Sequence, residues 1–75
     1  MQAVFGGHGG GNTACKATQN ACTNAYTSAA RAGFVRSQCV LFGTPIVVRG
    51  EIHVHAVVEP PIWWNTSLEI QCTSA

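Results

Sequence analysis

From Ile46 to Glu59 (IVVRGEIHVHAVVE) the side chains fall into two rows at a period of two. Ile46, Val48, Gly50, Ile52, Val54, Ala56 and Val58 make a row without a charge. Val47, Arg49, Glu51, His53, His55, Val57 and Glu59 make the other, where the titratable groups of the chain collect. This pattern predicts a long half-buried β-strand with its even row toward the core. Gly50 reads either as a bulge in that strand or, with Arg49, as a tight turn dividing it into a hairpin. The unbroken alternation favours one bent strand. Pro60-Pro61 ends it.

The rest of the chain supplies partners for this strand. Gln2 to Phe5 predicts a short first strand, followed by a glycine-rich loop, GGHGGGNT, over residues 6–13. Asn12 or Thr13 then serves as N-cap of a helix from Thr13 to Ala32, with Gly33 as the C′ residue and Arg31 in the last turn. Ala14, Ala17, Ala21, Ala25, Ala29 and Ala32 recur at spacings of three and four, an apolar stripe of methyl groups. Such a stripe buries little area but permits close backbone approach. Phe34 to Phe42 alternates as a second strand, broken by Gly43-Thr44-Pro45 before the long one. After Trp63-Trp64 a last strand sets Thr66, Leu68, Ile70 and Cys72 against Ser67, Glu69, Gln71 and Thr73. The order β-α-β-β-β predicts a single α+β domain over residues 1–75, one helix packed on a mostly antiparallel sheet.

Composition narrows the partners. Charged residues make up 9% of the chain, well under the ~25% usual for soluble domains. A net charge of +1 provides no basic patch for nucleic acid, and no apolar run approaches the ~20 residues of a membrane helix. A short, weakly charged chain with a methyl-lined helix points to a homo-oligomer. Cys15 and Cys22 lie ~10 Å apart on one helix, too far for a disulfide. No CxxC pair suggests zinc. The four cysteines therefore read as reduced thiols in a cytoplasmic protein without a signal segment.

Four places hold candidate chemistry. His53 and His55 project from one face of the long strand with Glu51 beside them, and His8 could complete a set of metal ligands. The donors suit zinc, nickel or copper rather than magnesium or calcium. The competing reading is a solvated or subunit-facing strand surface. Second, Gly9, Gly10, Gly11, Asn12 and Thr13 join a strand to a helix N-terminus, an arrangement that can bind an anion through backbone amides. The run matches neither GxGxxG nor the P-loop, and its HGGG string lacks the GxSxG nucleophile of an esterase. The alternative is a tight connection. Third, Cys15 in the first helical turn could act as a nucleophile with His8, or simply fill space as a small core residue. Trp63, with Trp64, reads as an anchor or oligomer contact, with a role in stacking on a ligand as the alternative.

Two resemblances accompany these residues. His8-Gly9, Thr13, Lys16-Ala17, Asn24-Ala25 and His53-Val54-His55 running to Pro60 resemble a family of small conserved hypothetical α/β proteins. That resemblance implies a ring-like or multimeric assembly and assigns no catalytic residue. Gly10 and Gly11 replace acidic loop residues of that family. The length, the β-α-β-β order and Arg49-Gly50-Glu51 are similar to dodecins, which form closed flavin-binding shells. Val35-Arg36 stands where that family carries its flavin-stacking tryptophan. The expected function is an oligomeric binding or structural module with an anion or small-ligand pocket at a subunit boundary. The alternative is a small enzyme using histidines for acid–base or metal-assisted chemistry.

Overall fold

The computed structural model describes residues 1–51 and 62–74. Three strands, β1 (Gln2–Gly11), β2 (Cys39–Glu51) and β3 (Ile62–Thr73), form an antiparallel sheet in the order β1-β3-β2. One helix, α1 (Ala14–Arg31), lies across β1 and β3, and a short 3-10 turn at Arg36–Gln38 leads into β2. The expected α+β architecture is present, as β-α-β-β. Gly43-Thr44-Pro45 does not separate two strands. It forms an irregularity inside β2, where the register to β3 shifts between Phe42 and Ile46, a place in an edge strand that tolerates proline.

The helix begins and ends where its sequence signals place it. Thr13 caps it, its hydroxyl accepting from the Lys16 amide at 3.1 Å. Ala32 closes it and Gly33 follows at φ 95°, a left-handed conformation in which glycine has no Cβ to strain. The polar faces of α1 stay compatible with helix because hydroxyls bond back one turn, Thr18 to the Ala14 carbonyl and Thr27 to the Thr23 carbonyl.

Ala17, Ala21, Ala25 and Ala29 are the buried stripe. What they pack on corrects the expected glycine loop. The run is strand throughout, paired from Gly6↔Glu69 to Gly11↔Trp64. Gly7, Gly9 and Gly11 are the helix-facing positions of β1, and a Cβ on Gly9 would lie 2.3 Å from the Ala21 nitrogen. The helix therefore rests on bare strand backbone, methyl groups against glycines. With this seam the core is small: Ala21, Ala25 and Ala29 continue into Phe34, Cys39, Leu68, Ile70 and Cys72, with Phe5 set edge-on to Phe34 at 5.6 Å.

Two further expectations change. Cys39 and Cys72, opposed across β2 and β3, form a disulfide with Cα atoms 4.0 Å apart, so only Cys15 and Cys22 are free thiols. Cysteine spacing could not show this, since the pair is separated by 33 residues and meets only through strand register. The row of β2 facing the helix side is also inverted. Val47 pairs with Thr66, which is fully buried beneath α1, whereas Ile46 and Val48 lie on the opposite, open face at 65% and 55% exposure. Cys39 and Leu41 already put the odd row on the helix side, and the irregularity at residues 43–45 keeps that phase; periodicity within Ile46–Glu59 carries no information on which row meets the helix. Positions 52–59 of that pattern lie outside the described residues. Among the described residues no helix is long and apolar enough to cross a membrane.

Candidate functional site

The helix covers one face of the sheet, and the chemistry of the described residues gathers on the other. Strand pairing fixes which side chains share that open face. His8 sits opposite Ser67, and Gly6 opposite Glu69. Phe42 sits opposite Glu69, and Ile46 opposite Ser67. The His8 Nδ1 and Ser67 Oγ are 2.9 Å apart, a hydrogen bond whose donor depends on the imidazole tautomer.

These residues border a hollow of about 510 Å³, open to solvent. Its floor is low because Gly6 carries no side chain and nothing stands within 4 Å of where its Cβ would be. Phe42, Thr44 and Ile46 form the side toward β2, while His8, Ser67 and Glu69 supply the polar edge. Gly43, at φ 75°, turns the strand at this wall in a conformation that favours glycine. An imidazole, a hydroxyl and a carboxylate beside an aromatic ring can orient a small polar head while the ring and Ile46 cover an apolar body.

The residues expected from sequence are dispersed. Gly9 and Gly11 are buried under α1, away from the hollow. Gly10 faces the open side and lies under the Trp63 indole, whose Nε1 would stand 2.6 Å from a Cβ there. Gly10 and Trp63 thus meet, as an anchor of the strand ends. Asn12 is exposed, and the Thr13 hydroxyl is engaged in capping its own helix. Cys15 is exposed on α1 and His8 belongs to the other face of the sheet, so no thiol–imidazole pair forms.

For the metal reading, His8 is placed on β1, His53 and His55 lie outside the described residues, and nothing is described of the Glu51 side chain. Among the described residues no cluster of three or more His, Cys, Asp or Glu could hold a metal ion. Nothing in the sequence pattern singles out Ser67, Glu69 or Phe42 as site residues. The alternation of Ser67, Glu69, Gln71 and Thr73 marks them as one face of the last strand, but only strand register sets them beside His8. Comparison with family models, curated proteins and solved structures returns no match.

Proposed function

We propose that this chain is a small-ligand-binding module that works as a homo-oligomer, with the open-face hollow as its binding site. The observation that carries the reading is the His8–Ser67–Glu69 edge set around a hollow on a sheet face the helix leaves bare. A buried strand interior would place apolar side chains there, and a purely solvated face would not enclose them with Phe42 and Ile46. Glu69 accepts hydrogen bonds and disfavours a second negative charge, while Phe42 offers an aromatic face to a cation. The ligand class is therefore a small molecule with an apolar body and an amine or other hydrogen-bond-donating head. This replaces the small anionic ligand expected at a glycine loop.

Oligomerisation is supported by the apolar surface left uncovered on a chain with so few charges. The Cys39–Cys72 disulfide favours a non-reducing compartment over the cytoplasm expected from cysteine spacing. The alternative of a small enzyme draws on the same His8–Ser67 hydrogen bond, an imidazole able to take a hydroxyl proton.

Thermal-shift titration with a panel of aliphatic and aromatic amines and matched carboxylates tests the reading. Amines should stabilise the protein in a concentration-dependent way, and Glu69→Gln should abolish the shift. Equal response to amines and carboxylates, or none to either, would refute it. Turnover of a tested compound that is lost in both His8→Ala and Ser67→Ala would favour the enzyme.

A further inference from the structure

Among the described residues the sheet has two edge strands, β1 and β2, and they differ in how they are finished. Along β1, helix side chains reach over to the backbone: Asn20 donates to the Gly10 carbonyl at 2.8 Å, and Asn24 donates to the His8 carbonyl. Those carbonyls therefore point away from β3. Every residue of a strand directs its N–H and C=O to the same side, and neighbouring residues alternate. His8↔Ser67 is then a non-hydrogen-bonded pair, and so is Cys39↔Cys72, whose 4.0 Å Cα separation has the close spacing of that class. Carried along β3 and across the irregularity, the same alternation turns the backbone groups of Ile46 and Val48 toward β3. Those of Val47 and Arg49 face outward from β2.

This second edge has no covering side chain among the hydrogen bonds of the described residues. The helix barely touches β2. Val40, Phe42, Ile46 and Val48 on one face and Leu41 and Val47 on the other are all between 42% and 65% exposed. A strand apolar on both faces belongs in a sheet interior. These side chains carry on the order of 500 Å² of exposed apolar surface, of which edge pairing draws on Leu41 and Val47 together with the outward backbone and leaves Phe42 and Ile46 to the hollow. The bulge at Pro45 protects the start of the edge, but from Ile46 to Gly50 it lacks lysine and proline, and Arg49 is its one charge.

We propose that β2 is an intersubunit strand, pairing antiparallel with β2 of a second copy about a two-fold axis normal to the sheet. The two three-stranded sheets become one of six strands. Both helices then lie on the same side, with Leu41 and Val47 of each copy in the trough between them. Both hollows open on the other side, unobstructed. A second copy is the occupant that fits because the edge is self-complementary under a two-fold: an outward-facing backbone row meets its own twin, and apolar side chains meet apolar ones. This inference rests on the oligomer reading above and specifies its geometry.

The test combines amide hydrogen exchange with sedimentation equilibrium on the oxidised, untagged chain. Val47 and Arg49 amides should be protected in the oligomer and lose protection on dilution to monomer, alongside a control set in β3 that stays protected. Val47→Pro removes an outward N–H and leaves the β2–β3 ladder intact, so the variant should be monomeric with the circular dichroism of the parent. Val47→Lys, which keeps the N–H but charges the edge, should shift the dimer dissociation constant upward by at least tenfold. An oligomer whose Val47 and Arg49 amides exchange freely would overturn the strand pairing while leaving oligomerisation standing. A chain monomeric at every concentration would overturn both.

Discussion

The helix–strand seam predicts opposite responses to one substitution at two nearby glycines. In Gly9→Ala the new Cβ would meet the Ala21 nitrogen at 2.3 Å, the Asn20 carbonyl carbon at 2.7 Å and the Ala17 oxygen at 2.8 Å. All three are helix backbone, which cannot rotate aside as a side chain could. Ordinary contact needs roughly 3.5–4 Å, so α1 must lift from β1 by more than an ångström or the strand must bend. Overpacking of this kind costs about 1–3 kcal/mol. Alanine recovers about 0.5–1 kcal/mol relative to glycine in a strand interior, which leaves a net loss of up to about 2.5 kcal/mol, centred on about 1 kcal/mol. At Gly6, on the open face, nothing lies within 4 Å of the added methyl. Gly6→Ala should therefore be neutral or stabilising by up to about 1 kcal/mol. Urea denaturation of both variants, at a protein concentration that fixes the oligomeric state, measures the difference. In melting temperature, each kcal/mol corresponds to ~4–8 °C for a domain of this size. Equal stabilities for the two variants, or a Gly9→Ala protein as stable as the parent, would refute the close seam.

Further outcomes follow from other contacts. Removing the Cys39–Cys72 disulfide by double substitution to alanine should cost on the order of 3–4 kcal/mol, from a closed loop of 33 residues' separation, with chemical reduction having a comparable effect in denaturant titrations. Thr13→Ala loses the hydroxyl that caps Lys16 and should lower stability by about 0.5–2 kcal/mol, while Thr13→Ser retains most of it. Asn24→Ala frees the His8 carbonyl on an exposed edge and should cost about 0.5–1.5 kcal/mol, with faster exchange of the β1 amides as the local readout. Gly6→Ala, although structurally tolerated, adds a methyl to the floor of the hollow and should weaken any amine ligand that stabilises the parent.

Local chemistry made the helix legible. Thr13, Gly33 and the spacing of Ala17, Ala21, Ala25 and Ala29 each act within a few residues, and each holds in the folded chain. The glycine run reads as a loop for a local reason. Glycine is a poor strand former by itself, so residues 6–11 look like a loop, and only the helix packed on top explains why methyl-free positions are needed there. Register was the other hidden quantity. Alternation divides β2 and β3 into rows, but a sheet exposes either row equally well until a partner covers one. That decision came from the position of α1 and from the pairing of β2 with β3, in which Cys39 and Leu41 already put the odd row on the helix side. The disulfide and the meeting of His8, Ser67 and Glu69 are consequences of the same register, which is why neither could be read from spacing.

Most rests on the bare β2 edge being a surface for self-association. Sedimentation equilibrium of the oxidised, untagged chain over roughly 1–100 µM addresses it directly. A reversible species of at least twice the 7.9 kDa chain mass is expected, dominant at the upper end of that range. A single species of 7.9 kDa throughout, with native circular dichroism, would contradict it.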